Sequence, residues 1–468
     1  MMMRRSLLGA CALGVTLLSP AAAAETLFEA LSTAYTTNPT LEAARAQLRA
    51  IDENIATAIS NWRPTVQGQG SIGQSRVKNS PSPANPDGTV FTSNDRFYTG
   101  SVSQPLFRGF ANFAAKSRAE AEVRAGRAQL GQVEQQVLLD TTTAFLDVVR
   151  DQAVLGLNDN QVQVLRRQLE ASQDRFRVGE ITRTDVAQSE ARLSGAIATR
   201  FQAVATLEAS RARFEQLVGR YPGTLDAPER VPELPESLPA AIQIGEDRNP
   251  IVLQALANEE AAEQQVREAR GALLPSVQLN GSVSRNVGAF GPFSQSTDRV
   301  AGSVQFTVPL YQAGSVSSNI RRQKQIRSQR MLQIAEARRQ VINNVRVAWE
   351  QVRAARSTIE ASASQVSANE IALEGVRQEA AVGSRTTLDV LDAEQELLNA
   401  RVTLVRSQRD SIVAAYALMN AIGLLTAVNL GLDVEYYDPT DYYDQIKWRF
   451  FGWDIPDPTP GSAAQDLN

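Results

Sequence analysis

Two hydrophobic periods divide the chain. Val345, Val352, Ile359, Val366 and Leu373 stand seven residues apart, and Val341, Ala348, Ala355 and Ser362 fill the position four residues before each of the first four. A sustained seven-residue repeat marks a coiled-coil seam and forces neighbouring helices to supercoil. Stepping back by 204 residues lands on Thr141, Val148, Leu155, Val162 and Leu169, so the register recurs. After Gly383, Leu391, Leu398, Val405 and Ile412 carry a further seam. Unbroken helix over residues 315–382 would run about 100 Å at about 1.5 Å per residue. The Ala and Ser in the seam permit close backbone approach, which suits a wall of many helices.

Elsewhere the period drops to two. Val277, Leu279, Gly281 and Val283 alternate with Gln278, Asn280, Ser282 and Ser284, and Val300, Gly302, Val304, Phe306 and Val308 repeat the pattern. Alternation of this kind predicts strands with one apolar face. Val66, Gly68, Gly70, Ile72 and residues 97–107 form a weaker version. The expectation is two hairpins, about 65–107 and about 276–310, with polar tips near Lys78 to Asp95 and Gly288 to Asp298.

The chain is a duplicated unit. Asn38-Pro39 recurs as Asn249-Pro250, and Arg63-Pro64 as Leu274-Pro275, at an offset of 211; Gly179 and Gly219 recur as Gly383 and Gly423, at 204. The difference of seven puts a variable loop in the first hairpin. The predicted organisation is a signal peptide at 1–24, a first repeat at 25–220, a Pro-rich linker at 221–240, a second repeat at 241–424, and an equatorial segment with a flexible tail at 425–468. Pro222, Pro228, Pro232, Pro235 and Pro239 deny the linker a helix.

Arg4 and Arg5, the apolar run Leu7 to Leu18 and the Ala21 to Ala24 stretch read as a secretory signal, too short to span a bilayer. Cys11 follows a lipoprotein-like box, but cleavage there would strand the apolar run from Ala12 to Leu18. The uncharged stretch Ser411 to Leu432 is long enough for a membrane helix, yet Asn420, Gly423, Thr426 and Asn429 interrupt it. It reads as a helix end buried in protein.

The 468 residues include no histidine, and Cys11 is the one cysteine. Zinc, haem and Ser-His or Cys-His chemistry therefore lose their usual groups, and no cofactor or catalytic residue is expected. With 47 basic and 51 acidic residues the chain lacks the basic excess of a nucleic-acid binder. No Gly-x-Ser-x-Gly elbow or phosphate loop is present. Four strands alone have two open edges, which lipid does not tolerate, so the hairpins must close with those of other copies or pack on a helix as a soluble β-domain. Strand length, export and polar tips favour the barrel.

The duplicated Asn-Pro to Pro spacing, the strand ends Gln104-Pro105-Leu106-Phe107 and Val308-Pro309-Leu310-Tyr311, and the run Val382 to Ala393 resemble the TolC family of outer membrane efflux and secretion channels. The resemblance spans nearly the whole mature chain. It implies a mainly α fold with a membrane β-barrel contribution: a homotrimer whose chains give four strands each to one twelve-stranded barrel, continued by an α-helical tunnel with an equatorial belt. It implies a periplasmic adaptor and an inner-membrane ABC or RND-type translocase as partners, with outer membrane lipid around the barrel. At the tunnel's periplasmic end it assigns Asp389 and Asp392 to acidic rings, Thr184, Asp185 and Arg385 to a constriction network, and Gly179 and Gly383 to the helix turns. Ala380-Ala381 stand where family members can carry an aromatic residue, which implies a weaker or differently wired lock.

Residue chemistry agrees with those roles. Asp389 and Asp392 are three apart and share a helix face; rings of carboxylates attract cations. Arg385 offers a planar fork for Asp185 on the related turn. The competing reading makes these carboxylates ordinary helix N-terminal acids. A pore-less exported coiled-coil tether is the alternative function, and the uncharged apolar strand faces argue against it.

Overall fold

The computed structural model describes residues 25–81, 83, 87–226, 232–290 and 293–455. The proposed signal peptide, Cys11 and the final part of the tail lie outside them. The elements run α1 (Leu27–Thr37), α2 (Pro39–Ser60), β1 (Thr65–Asn79), β2 (Thr89–Arg108), α3 (Ala111–Arg177), α4 (Arg183–Val218), α5 (Leu238–Arg248), α6 (Pro250–Gly271), β3 (Ser276–Phe290), β4 (Phe293–Thr307), α7 (Ser315–Ala381), α8 (Thr387–Ala421), α9 (Ala427–Leu430) and α10 (Asp441–Ile446).

The duplication holds element by element. α1 and α5 have 11 residues each, α2 and α6 22, α3 and α7 67, and α4 and α8 36 and 35. A 67-residue helix spans about 100 Å. Each long helix packs along two shorter ones laid end to end, α3 against α2 and α4, α7 against α6 and α8.

The end-to-end junctions explain the Asn-Pro repeats. Asn38 caps α2 by accepting from Thr40 N at 2.9 Å, while its Nδ2 donates to the Leu217 carbonyl in the last turn of α4, also at 2.9 Å. Asn249 does the same for α6 and α8, at 2.9 Å to Ile251 N and 2.8 Å to the Ala421 carbonyl. One amide thus serves orphan groups at two helix ends. Proline at the first helical position has no N–H to leave unsatisfied.

Seam residues of the long helices are buried: Val341, Val345, Ala348, Val352, Ser362 and Leu373 on α7, and Thr141, Val148 and Val162 on α3. On α8 the expected seam is displaced. Leu391 is buried, but Leu398, Val405 and Ile412 are half-buried, whereas Ala400, Ser407 and Ala414, also seven apart, are buried. The small residues let α8 approach α7 closely enough for Ser362 and Ser407 to share a buried hydroxyl contact at 3.3 Å.

The strands form one antiparallel sheet in the order β1-β2-β3-β4. Cross-strand register stacks Val277 on Phe306, Leu279 on Val304, Gly281 on Gly302 and Val283 on Val300, with Val66 beside Val102 and Gly68 beside Gly100 on the same side. The opposite side is mainly Gln, Ser, Thr and Asn, with Ala301 and Arg299 on β4 and Phe97 on β2. Val300 is 81% exposed and Val66 74%, so the apolar face is bare within one chain. β1 and β4 each leave an edge unpaired within the described residues. Further toward the tips the apolar side turns charged, with Arg96, Arg285, Asp298, Arg76 and Lys78. The strands outrun their predicted ends, reaching Asn79, restarting at Thr89, and pairing to Phe290 and Phe293. Polar side chains on both faces erase the period-two signal there, while backbone pairing continues. Pro105 sits at a β-bulge of β2, where its missing N–H is tolerated.

Among the described residues no helix is long and apolar enough to cross a membrane. The stretch from Ser411 to Leu432 is instead core: Tyr416, Met419, Leu425, Ala427 and Leu432 join Leu31, Phe145 and Phe214 in one cluster, and Leu418 and Ile422 join Val341 and Val345 in another. Leu234, from the linker, packs against both.

Candidate functional site at the helix tips

At the end of the long helices remote from the sheet, both repeats turn by the same device. Gly179 and Gly383 both sit at φ 82°, a region that glycine enters without the steric cost of a Cβ. The N–H of Glu180 donates to the Arg175 carbonyl at 3.0 Å, and that of Ser384 to Glu379 at 3.0 Å, the six-to-one bond of a Schellman closure. Thr182 and Thr386 then open α4 and α8 as N-caps.

Asp185 and Asp389 occupy the third helical position after those caps. Each carboxylate accepts from the threonine N–H at 2.9 Å and its hydroxyl at 2.8 Å, completing a capping box. The backbone N–H of Thr386, then its hydroxyl, hold the Asp389 carboxyl below the usual carboxylate range. The Thr-x-x-Asp spacing of both repeats is the sequence signal for these boxes, and it accords with the competing reading of both carboxylates as helix N-terminal acids. Thr184 is exposed on the first turn of α4.

The expected Arg385–Asp185 pair is not formed within the chain. Arg385 Nε donates to Glu379 Oε2 at 2.8 Å on its own turn, and this acid raises the guanidinium's pKa. The two repeats are tied at the tip by another pair, Arg192 on α4 with Asp392 on α8, at 2.5 Å. Sequence reasoning missed Arg192 because the bridge does not obey the repeat: Asp392 corresponds to Gln188, one helical turn before Arg192. Just above, Arg377 pairs with the buried Glu394.

Farther along, Arg409 on α8 reaches Asp147 on α3 at 2.9 Å, and Arg150 bonds the same oxygen at 2.7 Å. Between the Arg409 and Arg192 ties the repeats part, leaving a groove of about 670 Å³ that Asn158, Thr199, Gln395, Leu398 and Val402 help line. At the tip Ala380 and Ala381 border a smaller cavity of about 150 Å³ shared with Arg175, Arg377 and Arg385. Small side chains leave this space, and three guanidinium groups surround it. Such an arrangement can hold helices by exchangeable ion pairs and attract or repel passing ions.

A family model for outer membrane efflux proteins matches residues 30–220 and 241–424, one block per repeat. The chain belongs to the outer membrane efflux protein family. It is 35% identical over 444 residues to the outer membrane efflux protein BepC of Brucella suis biovar 1, covering 95% of both chains. It is 28% identical over 313 residues to the outer membrane protein TolC of Escherichia coli K12, covering 64% of this chain and 63% of that one. The crystal structure of the outer membrane protein VceC from Vibrio cholerae matches with a TM-score of 0.72 and 21% identity, over 85% of this chain and 96% of that one. The fold is that of the outer membrane channels, and family and relatives support an outer membrane exit channel.

Proposed function

We propose that this chain is a passive exit duct of a tripartite efflux or type I secretion system. Three copies join their sheets into a twelve-stranded barrel and their helices into a tunnel. The observation that carries the reading is the single-layer sheet with a bare apolar face and two open edges. Lipid requires backbone pairing around a closed barrel, and four strands fall short of the smallest of about eight. The apolar rows supply a lipid-facing band; the Gln, Ser, Thr and Asn rows supply a wet lumen. A cleaved signal peptide delivers the chain, and a periplasmic adaptor with an inner-membrane ABC or RND-type translocase supplies cargo and energy.

At the periplasmic end, Asp389 and Asp392 form the acidic rings, and Thr184, Asp185 and Arg385 with the Gly179 and Gly383 turns form the constriction. The chain's own geometry adds Arg192, whose pair with Asp392 holds α8 to α4. The test is single-channel conductance in a planar bilayer, wild type beside Arg385→Ser and Arg192→Ser. Small cation-selective openings that widen in either variant support the duct and its gate. Absence of openings from folded, inserted wild-type protein overturns the duct in favour of a tether.

A further inference from the structure

The C-terminal segment climbs α2 to the foot of the sheet. The N–H of Tyr437 donates to the Tyr35 hydroxyl at 3.1 Å near the start of this path, and the Tyr442 hydroxyl donates to Glu53 Oε1 at 2.8 Å farther along. Ile446 is buried, and Tyr443 packs with Trp62 against Ile55, Ala58, Ile59 and Ala119. The path ends at Arg63, two residues before β1. Arg63 Nη1 donates to the Arg449 carbonyl at 2.7 Å, and its guanidinium lies 4.3 Å from the Phe450 ring centroid.

What is brought there is bare and aromatic. Trp448 is 67% exposed, Phe450 61%, Phe451 87%, Trp453 96% and Ile455 75%. These side chains sit on a defined loop: the Arg449 guanidinium donates to the carbonyls of Phe451 at 3.2 Å and Asp454 at 2.6 Å. Gly452, at φ 121°, leaves room for it, since a Cβ there would lie 2.6 Å from Arg449 Nη2. A contiguous apolar patch held open in this way needs a cover.

Its height identifies that cover. The apolar band of the sheet begins beside it, at Val66 and the Val277–Phe306 row, and the exposed rings of Phe110 and Phe113 lie at the same end of the sheet. Tryptophan flanked by lysine or arginine is the composition favoured at the boundary between headgroups and acyl chains. Lys447 and Arg449 flank Trp448, and Asp454 is the one acid among residues 447–455.

We propose that residues 448–455 are an interfacial anchor seated in the periplasmic leaflet of the outer membrane, with Trp448, Phe450, Phe451 and Trp453 at headgroup depth. The proposal rests on the membrane reading of the sheet. The anchor fixes the height and tilt of the tunnel relative to the bilayer, and its occupant is phospholipid rather than a protein partner.

The test is tryptophan fluorescence of the mature protein in vesicles of phosphatidylethanolamine and phosphatidylglycerol. Trp62→Phe and Trp349→Phe leave Trp448 and Trp453 as the reporters. Blue-shifted emission, quenched more by lipids brominated near the ester end than near the chain terminus, is expected. Emission typical of water-exposed tryptophan, quenched by acrylamide but not by brominated lipid, overturns the anchor. Protection from both quenchers also overturns it, since protein then covers the rings. If that background does not fold, the difference between wild type and Trp448→Phe with Trp453→Phe reports the same two rings by the same criteria. Conductance of the same vesicles separates the readings: conducting channels with unquenched rings sink the anchor and leave the duct standing.

Discussion

The Asn249 amide lies between two helix ends, accepting from Ile251 N and donating to the carbonyl of Ala421 at 2.8 Å. Asn249→Asp keeps the N-cap acceptor but removes the donor and sets a carboxylate against that carbonyl. Asn249→Ser keeps a cap without that repulsion. Loss of the buried hydrogen bond costs about 1–3 kcal/mol, so Asp is expected to destabilise more than Ser despite being an equally good cap. Apparent melting temperatures of the two variants in detergent, compared at neutral pH, check this.

Gly423 and Gly219 occupy the same place in the two repeats but differ in tolerance. Both have positive φ, 79° and 86°, yet a Cβ on Gly423 would lie 2.7 Å from Asn249 Cα and 2.8 Å from the Arg248 carbonyl, whereas Gly219 has only the Thr37 hydroxyl at 3.9 Å. Gly219→Ala is expected to cost about 1–2 kcal/mol, the left-handed penalty alone. Gly423→Ala costs more, because two rigid backbones must move. Thermal melts of the paired variants give the comparison.

Asp52 on α2 is fully buried, and neither carboxylate oxygen has a hydrogen-bond partner among the described residues. Burial raises its pKa from 3.8 to about 6, opposed by Arg127 and Arg49 and reinforced by Glu53. The folded state therefore binds the proton more tightly than the unfolded one. Its contribution is most favourable below pH 3.8, falls as pH rises toward 6, and stays low above. The full window is worth about 3 kcal/mol as an upper bound. Asp52→Asn is expected to raise the melting temperature at pH 7.5 and flatten its change between pH 7 and 5.

Arg192 and Asp392 are about half exposed, so their pair adds only about 0–1 kcal/mol to stability. Arg192→Ala is expected to leave melting nearly unchanged while enlarging the conductance, and high salt is expected to shift wild type toward the variant. Equal conductance at low salt counts against this tie as part of the gate.

The cap that Asp389 makes and the ring role proposed for it separate by substitution. Asp389→Asn keeps an oxygen for Thr386 but removes charge, so it is expected to weaken block by trivalent cations with little loss of stability. Thr386→Ala keeps the charge and loses the cap, costing about 1 kcal/mol. Reversal of that pattern in bilayer block and melting measurements rejects the ring assignment.

The duplication was legible because burial repeats with it: Val345 and Val148 are buried in the registers their spacing implies. The displaced α8 seam was not, since Leu398 and Ala400 both recur by sevens and only three-dimensional approach decides which stripe meets α7. Strand ends failed where Arg76, Asn94 and Asn286 make both faces polar. At the tips, the Asp185 and Asp389 capping boxes were local and readable. Arg192–Asp392 was not, because it joins segments 200 residues apart through side chains that the repeat does not align.

The unpaired edges of β1 and β4 also constrain biogenesis. The helices bury three apolar clusters within one chain, whereas the sheet leaves Val66 and Val300 bare. The sheet cannot enter lipid alone, because a solitary copy would carry two rows of bare amides and carbonyls into hydrocarbon. If copies close one another's edges as proposed, insertion depends on their concentration, and a copy without neighbours is left with an aggregation-prone sheet.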